Sequence, residues 1–115
     1  MDERLRPVER LQRSYEFRKV FERGTCFRTA YLRVHFQRSD RELSRLGLVV
    51  TRRVGKATHR IRVKRILRDI FRRHKDRLPH AMDVVLIPRG APRSHREYLV
   101  AYLGFLEKIA SEGGK

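Results

Sequence analysis

Tryptophan is absent from this sequence, cysteine occurs once, and 13 acidic residues stand against 29 Lys and Arg. A single thiol, Cys26, cannot close an intramolecular disulfide, and without a second thiol or clustered His it cannot build a zinc site. Apolar runs are short: those near residues 46–50 and 84–87 fall far below the ~20 residues that span a bilayer. The first twenty residues are dense in Arg and Glu and have no apolar core, so no secretory signal is read there. A reducing, cytoplasmic setting without membrane attachment is expected. The 115 residues suit a single domain with one modest core, expected over residues 1–115 with a basic extended arm at 1–13 and a loose tail at 111–115.

Catalytic constellations are also scarce. The five histidines, at 35, 59, 74, 80 and 95, show no metal-ligand spacing, and no Gly-rich phosphate loop precedes a helix. The carboxylates are scattered and mostly neighboured by Arg, with Asp69 and Asp76 two helical turns apart, so no general acid–base pair stands out. Cys26 reads as a packed or exposed thiol rather than a nucleophile. The protein alone is expected to hold no cofactor.

What the chain has in excess is positive charge, a formal +16, with 23 of the 29 basic residues Arg. Such a chain repels itself, and a polyanionic partner is the natural counterweight. Arg forks pair bidentately with phosphate and stack on bases, which favours structured nucleic-acid contact over a diffuse cationic tail. A membrane surface fits less well, because every candidate helix needs its apolar face for packing. From Arg52 to Lys75 there are eleven Lys or Arg and one acid, Asp69, so this stretch contributes +10 of the +16. Solvated helix faces normally mix signs through i,i+4 pairs, and this one has almost no partners to offer, so RNA or DNA contact is expected here.

Periodicity places these charges on elements. Ser14 is expected to cap a first helix carrying Phe17, Val20 and Phe21 at helical spacing, with Gly24 as its stop. Residues 31–38 alternate, with Leu32, Val34 and Phe36 on one face and Tyr31, Arg33, His35 and Gln37 on the other. Residues 46–51 read as a second strand, expected to pair antiparallel with the first. Arg52, Arg53, Val54, Gly55 and Lys56 turn the chain, and Thr58 is expected to cap a helix whose inner face collects Val63, Ile66, Leu67, Ile70 and His74. At about 100° per residue, Ile61, Lys64, Arg65, Arg68 and Arg72 fall opposite. Residues 83–89 form a third strand, expected parallel to the second. Ser94 and Glu97 make a capping box for a last helix with Leu99, Tyr102, Leu103, Leu106 and Ile109 inward. Phe17 and Phe21 serve either as core or as a base-stacking platform beside Tyr31, Arg33 and His35, and both readings hold if the first helix leaves a groove against the sheet.

Three stretches together, Phe17-Arg-Lys-Val-Phe21 with Gly24, Leu46-Gly-Leu-Val-Val-Thr-Arg-Arg-Val-Gly-Lys56, and Arg60-Ile-Arg-Val-Lys-Arg65 with Arg68, resemble the bacterial ribonuclease P protein component family over residues 10–89. The resemblance implies a small α+β sandwich of the ribosomal S5 domain 2-like type, with a mixed sheet, about three helices and a left-handed crossover from the second to the third strand. It implies a protein subunit of an endoribonuclease ribonucleoprotein, in which an RNA subunit performs the Mg2+-dependent cleavage that matures the 5′ end of precursor tRNA. On that reading Arg60, Arg62, Lys64, Arg65, Arg68 and Arg72 form the face toward the catalytic RNA. Phe17, Phe21, Tyr31, Arg33 and His35 line a cleft for the single-stranded 5′ leader, and Arg52, Arg53 and Lys56 serve either RNA. No obligate protein partner is implied. The chain departs from the family pattern at Ile61, where Asn is usual, and at Val49, where a small polar residue is common. The competing readings are a ribosomal or other RNA-structuring protein and a helix-turn-helix DNA binder, the latter disfavoured because residues 46–51 read as strand.

Overall fold

The described residues form four strands and three α-helices, one strand more than alternation marks out. A computed structural model describes residues 5–112, which run α1 (Ser14–Arg23), β1 (Thr25–Arg28), β2 (Leu32–Arg38), β3 (Arg45–Leu48), α2 (Ala57–His74), β4 (Met82–Pro88) and α3 (His95–Glu112). Short 3-10 turns occupy Pro7–Glu9, Arg52–Val54 and Lys75–Arg77. The fold is α+β, with one mixed sheet in the order β1-β2-β4-β3. β3 and β4, the strands flanking α2, pair in parallel as their order implied. The antiparallel pairing expected between residues 31–38 and 46–51 does not occur, because β4 lies between them and pairs antiparallel with β2. Six of the seven β4 residues are buried, and a strand apolar on both faces belongs in the middle of a sheet. β1, which periodicity did not reveal, is only four residues long with exposed ends, and it covers the free edge of β2.

The two faces of the sheet carry separate apolar clusters. On one, Leu32, Val34, Val84 and Leu86 meet Val63, Leu67, Ile70 and Phe71 of α2 and Tyr98, Tyr102, Phe105 and Leu106 of α3. On the other, α1 contributes Val20, which packs with Leu11 and Val85 and is flanked by Phe17, Val49 and Ile87. The strand alternation of β2 is as expected. In α2 the phase is right, with Phe71 added to the buried face. In α3 the buried stripe is rotated toward Tyr98, Ala101 and Phe105, leaving Leu99 and Leu103 half-buried, because Phe105 packs its ring against Phe36, Phe27 and Tyr102.

Helix ends follow local chemistry, with two corrections. Ser14 lies inside α1, and the capping is done by Glu16, whose carboxylate accepts the N–H groups of Gln12 and Arg13 at 2.9 Å each. Thr58 lies inside the first turn of α2, which begins after Lys56. The Ser94–Glu97 capping box is present, with Ser94 N–H to Glu97 at 3.1 Å and Glu97 N–H to Ser94 Oγ at 3.2 Å.

Residues 5–13 do not form the extended arm expected at 1–13. Leu5 and Leu11 are buried, the N–H of Leu11 donates to Leu46 O at 2.9 Å, and buried Glu9 pairs with Lys75 at the end of α2. Two apolar anchors and a charge pair outweigh the repulsion of the basic residues between them. Residues 1–4 of that arm lie outside the described residues. So do 113–115 of the tail expected at 111–115, whereas 111 and 112 continue α3.

Candidate nucleic-acid interface

The basic helix α2 buries Val63, Leu67, Ile70 and Phe71, and this fixes where its charges point. Arg65 and Ile61 face outward, Ile61 with 56% of its surface exposed. Ile61→Asn is therefore expected to change the unfolding free energy by no more than about 0.5 kcal/mol in a denaturant melt. A loss above ~2 kcal/mol would mean that this face is buried.

The edge of α2 toward α3 is tied down. Arg62 donates to Arg93 O at 3.3 Å, and Asp69 pairs with Arg72 at 2.8 Å, with Arg73 at 2.9 Å and with His95 of α3 at 3.3 Å. Arg72, expected among the outward cations, thus has an internal carboxylate. Burial opposes ionisation of Asp69, but Arg73, His95 and Arg72 prevail and hold its pKa below the usual carboxylate value.

Around the outer face and the opposite edge of α2 there is no such compensation. Among the described residues, Arg60, Lys64, Arg65 and Arg68 have no carboxylate partner. Arg68 is half-buried, and that burial, then the positive charges of Arg10 and Arg65, pull its pKa below the ordinary Arg value. Three like charges repel one another here with no carboxylate among them, so the local potential is positive. Arg10 reaches the group because residue 10 bridges Leu46 of β3, so the N-terminal segment adds to the ridge.

The second region lies between α1 and the sheet. Glu16 of α1 accepts from Arg45 of β3, whose guanidinium also makes a two-pronged contact with Asp83 of β4, both bonds 3.0 Å. Burial works against the Glu16 charge, but the N–H groups of Arg13 and Gln12 and then Arg45 overcome it and bring its pKa to about 2. This network clamps the start of α1 to the sheet. Phe17 then lies directly over Gly47 of β3, and Phe21, one turn on and 40% exposed, meets the ring of His35 edge-on at a centroid distance of 4.9 Å. His35 Nε2 is buried without a partner, and burial, then Arg33 and Arg28, lower the imidazole pKa, keeping it neutral at neutral pH.

Beyond Phe17 the same face opens into a groove of about 970 Å³. Its floor is Val49, Ile87 and Pro88, its walls carry Arg33, Arg52, Arg53, Arg89 and Arg93, and no acidic residue lines it. The structure thus joins Phe17, Phe21, Arg33, His35, Arg52 and Arg53 into one region, while exposed Lys56 stands at the start of α2. Tyr31 is the exception. It sits in the bend before β2, packs against the core under α2 and α3, and lies beneath the Arg93 guanidinium at 4.4 Å, on the opposite face of the sheet from Arg33 and His35. Arg89 and Arg93 were missed by sequence reasoning. Arg89 follows Ile87, the register partner of Arg33, by two residues, a spacing that could have revealed it; Arg93 stands in a loop and left no periodic signal.

Among the described residues no group of three His, Cys, Asp or Glu side chains could hold a metal ion, and no helix is long and apolar enough to cross a membrane.

A protein-family model described as Ribonuclease P matches residues 5–109. The ribonuclease P protein component of Thermotoga maritima is 43% identical over 81 residues, covering 70% of this chain and 69% of that protein. That of Desulfatibacillum aliphaticivorans is 33% identical over 108 residues, covering 93% and 92%. The solved RNase P protein of Thermotoga maritima superposes with a TM-score of 0.77 at 35% identity, over 88% of this chain and 97% of that one. The Staphylococcus aureus RNase P protein shares the fold, with a TM-score of 0.77 at 24% identity, over 89% and 94%.

Proposed function

The chain belongs to the ribonuclease P protein family, the protein subunit of an endoribonuclease ribonucleoprotein that partners with ribonuclease P RNA, and from that premise we propose how its surfaces divide the work. The outer face of α2, with Arg60, Lys64, Arg65 and Arg68 and the added Arg10, binds phosphates of the RNA subunit. The groove past Phe17 and Phe21 takes the single-stranded 5′ leader of precursor tRNA. Arg52 and Arg53 stand on its wall, where they contact the leader, and Lys56 stands toward the RNA subunit. The rival reading as a ribosomal or other RNA-structuring protein has no comparable support.

One observation carries this division: a groove with an apolar floor, five Arg on its walls and no acid, bordered by Phe17, which shares an apolar cluster with its floor residues Val49 and Ile87. A single strand can lay its base faces on such a floor while its phosphates reach the guanidinium groups above. A duplex stacks its base faces internally and gains only the phosphate contacts. Neutral His35, set against Phe21 on the same face of β2 as Arg33, contributes a flat surface without adding another charge to desolvate. The chain's own residues bind and orient the substrate. Mg2+ would belong to the RNA-containing assembly and supply the cleavage chemistry there; among the described residues no group of three carboxylate, His or Cys side chains could hold it. The cytoplasm, where precursor tRNA is made in bacteria, is the proposed location.

The RNA-facing half is tested by salt. Neutralising Arg65 and Arg68 to Ala should weaken binding to ribonuclease P RNA and reduce the slope of log affinity against log salt by about two units, near 0.9 for each lost phosphate contact. Both residues lack internal carboxylate partners, so the variant should keep its fold by circular dichroism. An unchanged slope would place the RNA surface elsewhere.

A further inference from the structure

Arg45 and Gly47 of β3 stand two residues apart on the same face of the sheet, opposite consecutive residues of α1: Arg45 bonds Glu16, and Gly47 lies under Phe17. A Cβ at Gly47 would lie 2.6 Å from Phe17 Cε2, 2.8 Å from its Cζ and 3.1 Å from Leu11 Cδ1. Carbon atoms in contact sit at about 3.5–4.0 Å, so a side chain of any size at this position overlaps the ring. The backbone is not the constraint, because the left-handed glycines are Gly55 and Gly90 and Gly47 is not among them. What position 47 cannot tolerate is the volume.

α1 is held to the sheet as a body, because Glu16 is bound to Arg45 of β3 and Val20 is fully buried against Val85 and Leu11. With the helix held, a Phe17 ring pushed off Gly47 has to turn about its own side-chain bonds, beside Val49 and Ile87 at the edge of the groove.

We propose that Gly47 is a positioning residue for the 5′ leader: the absence of a side chain there lets the end of the Phe17 ring seat against the sheet, and the Glu16–Arg45–Asp83 network holds the helix so that the seat stays in place. The proposal rests on the leader reading above and names what sets the depth of that groove. Gly47 does not itself touch the leader; it acts through the ring of Phe17.

The test is a double-mutant cycle in the reconstituted ribonuclease P holoenzyme, read as affinity for precursor tRNA with its leader and for the same tRNA without it. Gly47→Ala should weaken leader-bearing tRNA by roughly tenfold, the loss of about one stacked base, and leave leaderless tRNA unchanged. In a Phe17→Ala background the same substitution should have no further effect, because the ring it displaces is gone. Equal losses for both tRNAs, or additive losses in the double variant, would overturn the proposal. If Phe17→Ala abolishes the preference for leader-bearing tRNA while Gly47→Ala preserves it, the seat is wrong and the groove reading stands. If Phe17→Ala leaves the preference intact, the groove reading itself fails and the proposal with it. Should Gly47→Ala alone fail to fold, the Phe17→Ala double variant should recover the native circular dichroism spectrum; a double variant that stays unfolded would also overturn the seat.

Discussion

Replacing Arg45 with methionine is expected to lower the unfolding free energy of the free protein at pH 7 by about 3 to 5 kcal/mol, the usual cost of removing one partner from a buried charge network. Arg45 is 8% exposed and Asp83 4%, and the guanidinium spans two carboxylates from different elements, Asp83 of β4 and Glu16 of α1. Methionine fills much of the same volume. The loss therefore comes chiefly from the two acids left buried without their cation, with little from a cavity. Urea melts of the two proteins measure it, and a difference below ~1 kcal/mol would show the network to be incidental.

The pH dependence carries a defined sign. The native pKa of Glu16 is brought down to about 2, below the ~4.3 of an unfolded chain. Its contribution is fully present above pH ~4.3 and is lost as pH falls toward 2, amounting to roughly 3 kcal/mol at most at ~1.4 kcal/mol per unit. Without Arg45 the Glu16 carboxyl loses one of its stabilising partners and takes up a proton at higher pH in the folded state. Acid then favours the variant relative to the parent, so the gap between their melts should narrow from pH 7 to pH 3.

Much of the fold was legible because it is written in short periods. The alternation of Leu32, Val34 and Phe36 against Arg33 and His35 is the register of β2, and the spacing of Val63, Leu67 and Ile70 sets the rotation of α2, so that Ile61 and Arg65 face out. What was not legible depends on partners distant in the chain. Nothing local marks Arg45 as buried, because the acid that pairs with it, Asp83, lies 38 residues away. The central place of β4 follows from burial on both its faces relative to its neighbours, and no local pattern in residues 31–38 or 46–51 contains that information. Tyr31 continued the alternation of β2 by one residue, but the chain bends before Leu32 and sends the ring to the other side. Asp69 with Arg72 and Arg73 is a different case: the i,i+3 and i,i+4 spacings were present in the sequence, and the count of unpaired charges passed over them.

The candidate site divided along the same line. Its aromatic and basic residues were found by type and spacing, whereas Gly47 carries its role through the absence of a side chain, visible only with Phe17 above it.

The leader groove is tested most directly by replacing Phe17 and Phe21, separately and together, with leucine. Leucine retains most of the apolar burial of half-buried Phe17 against Leu11 and Val85, and Phe21 is exposed, so the free protein should stay folded. It has no flat π face, and a base resting on either ring should lose about 1 to 3 kcal/mol, five- to more than a hundredfold in affinity. The phosphate contacts of the groove walls and of α2 are untouched by either change, so binding of the RNA subunit should not respond. The measurement is the affinity of the reconstituted holoenzyme for precursor tRNA divided by its affinity for the same tRNA without a leader. The groove predicts that this ratio falls at least fivefold for either single variant, and further for the pair, with leaderless affinity unchanged. An unchanged ratio, or equal losses with and without the leader, would contradict it and return both rings to the packing of α1 on the sheet.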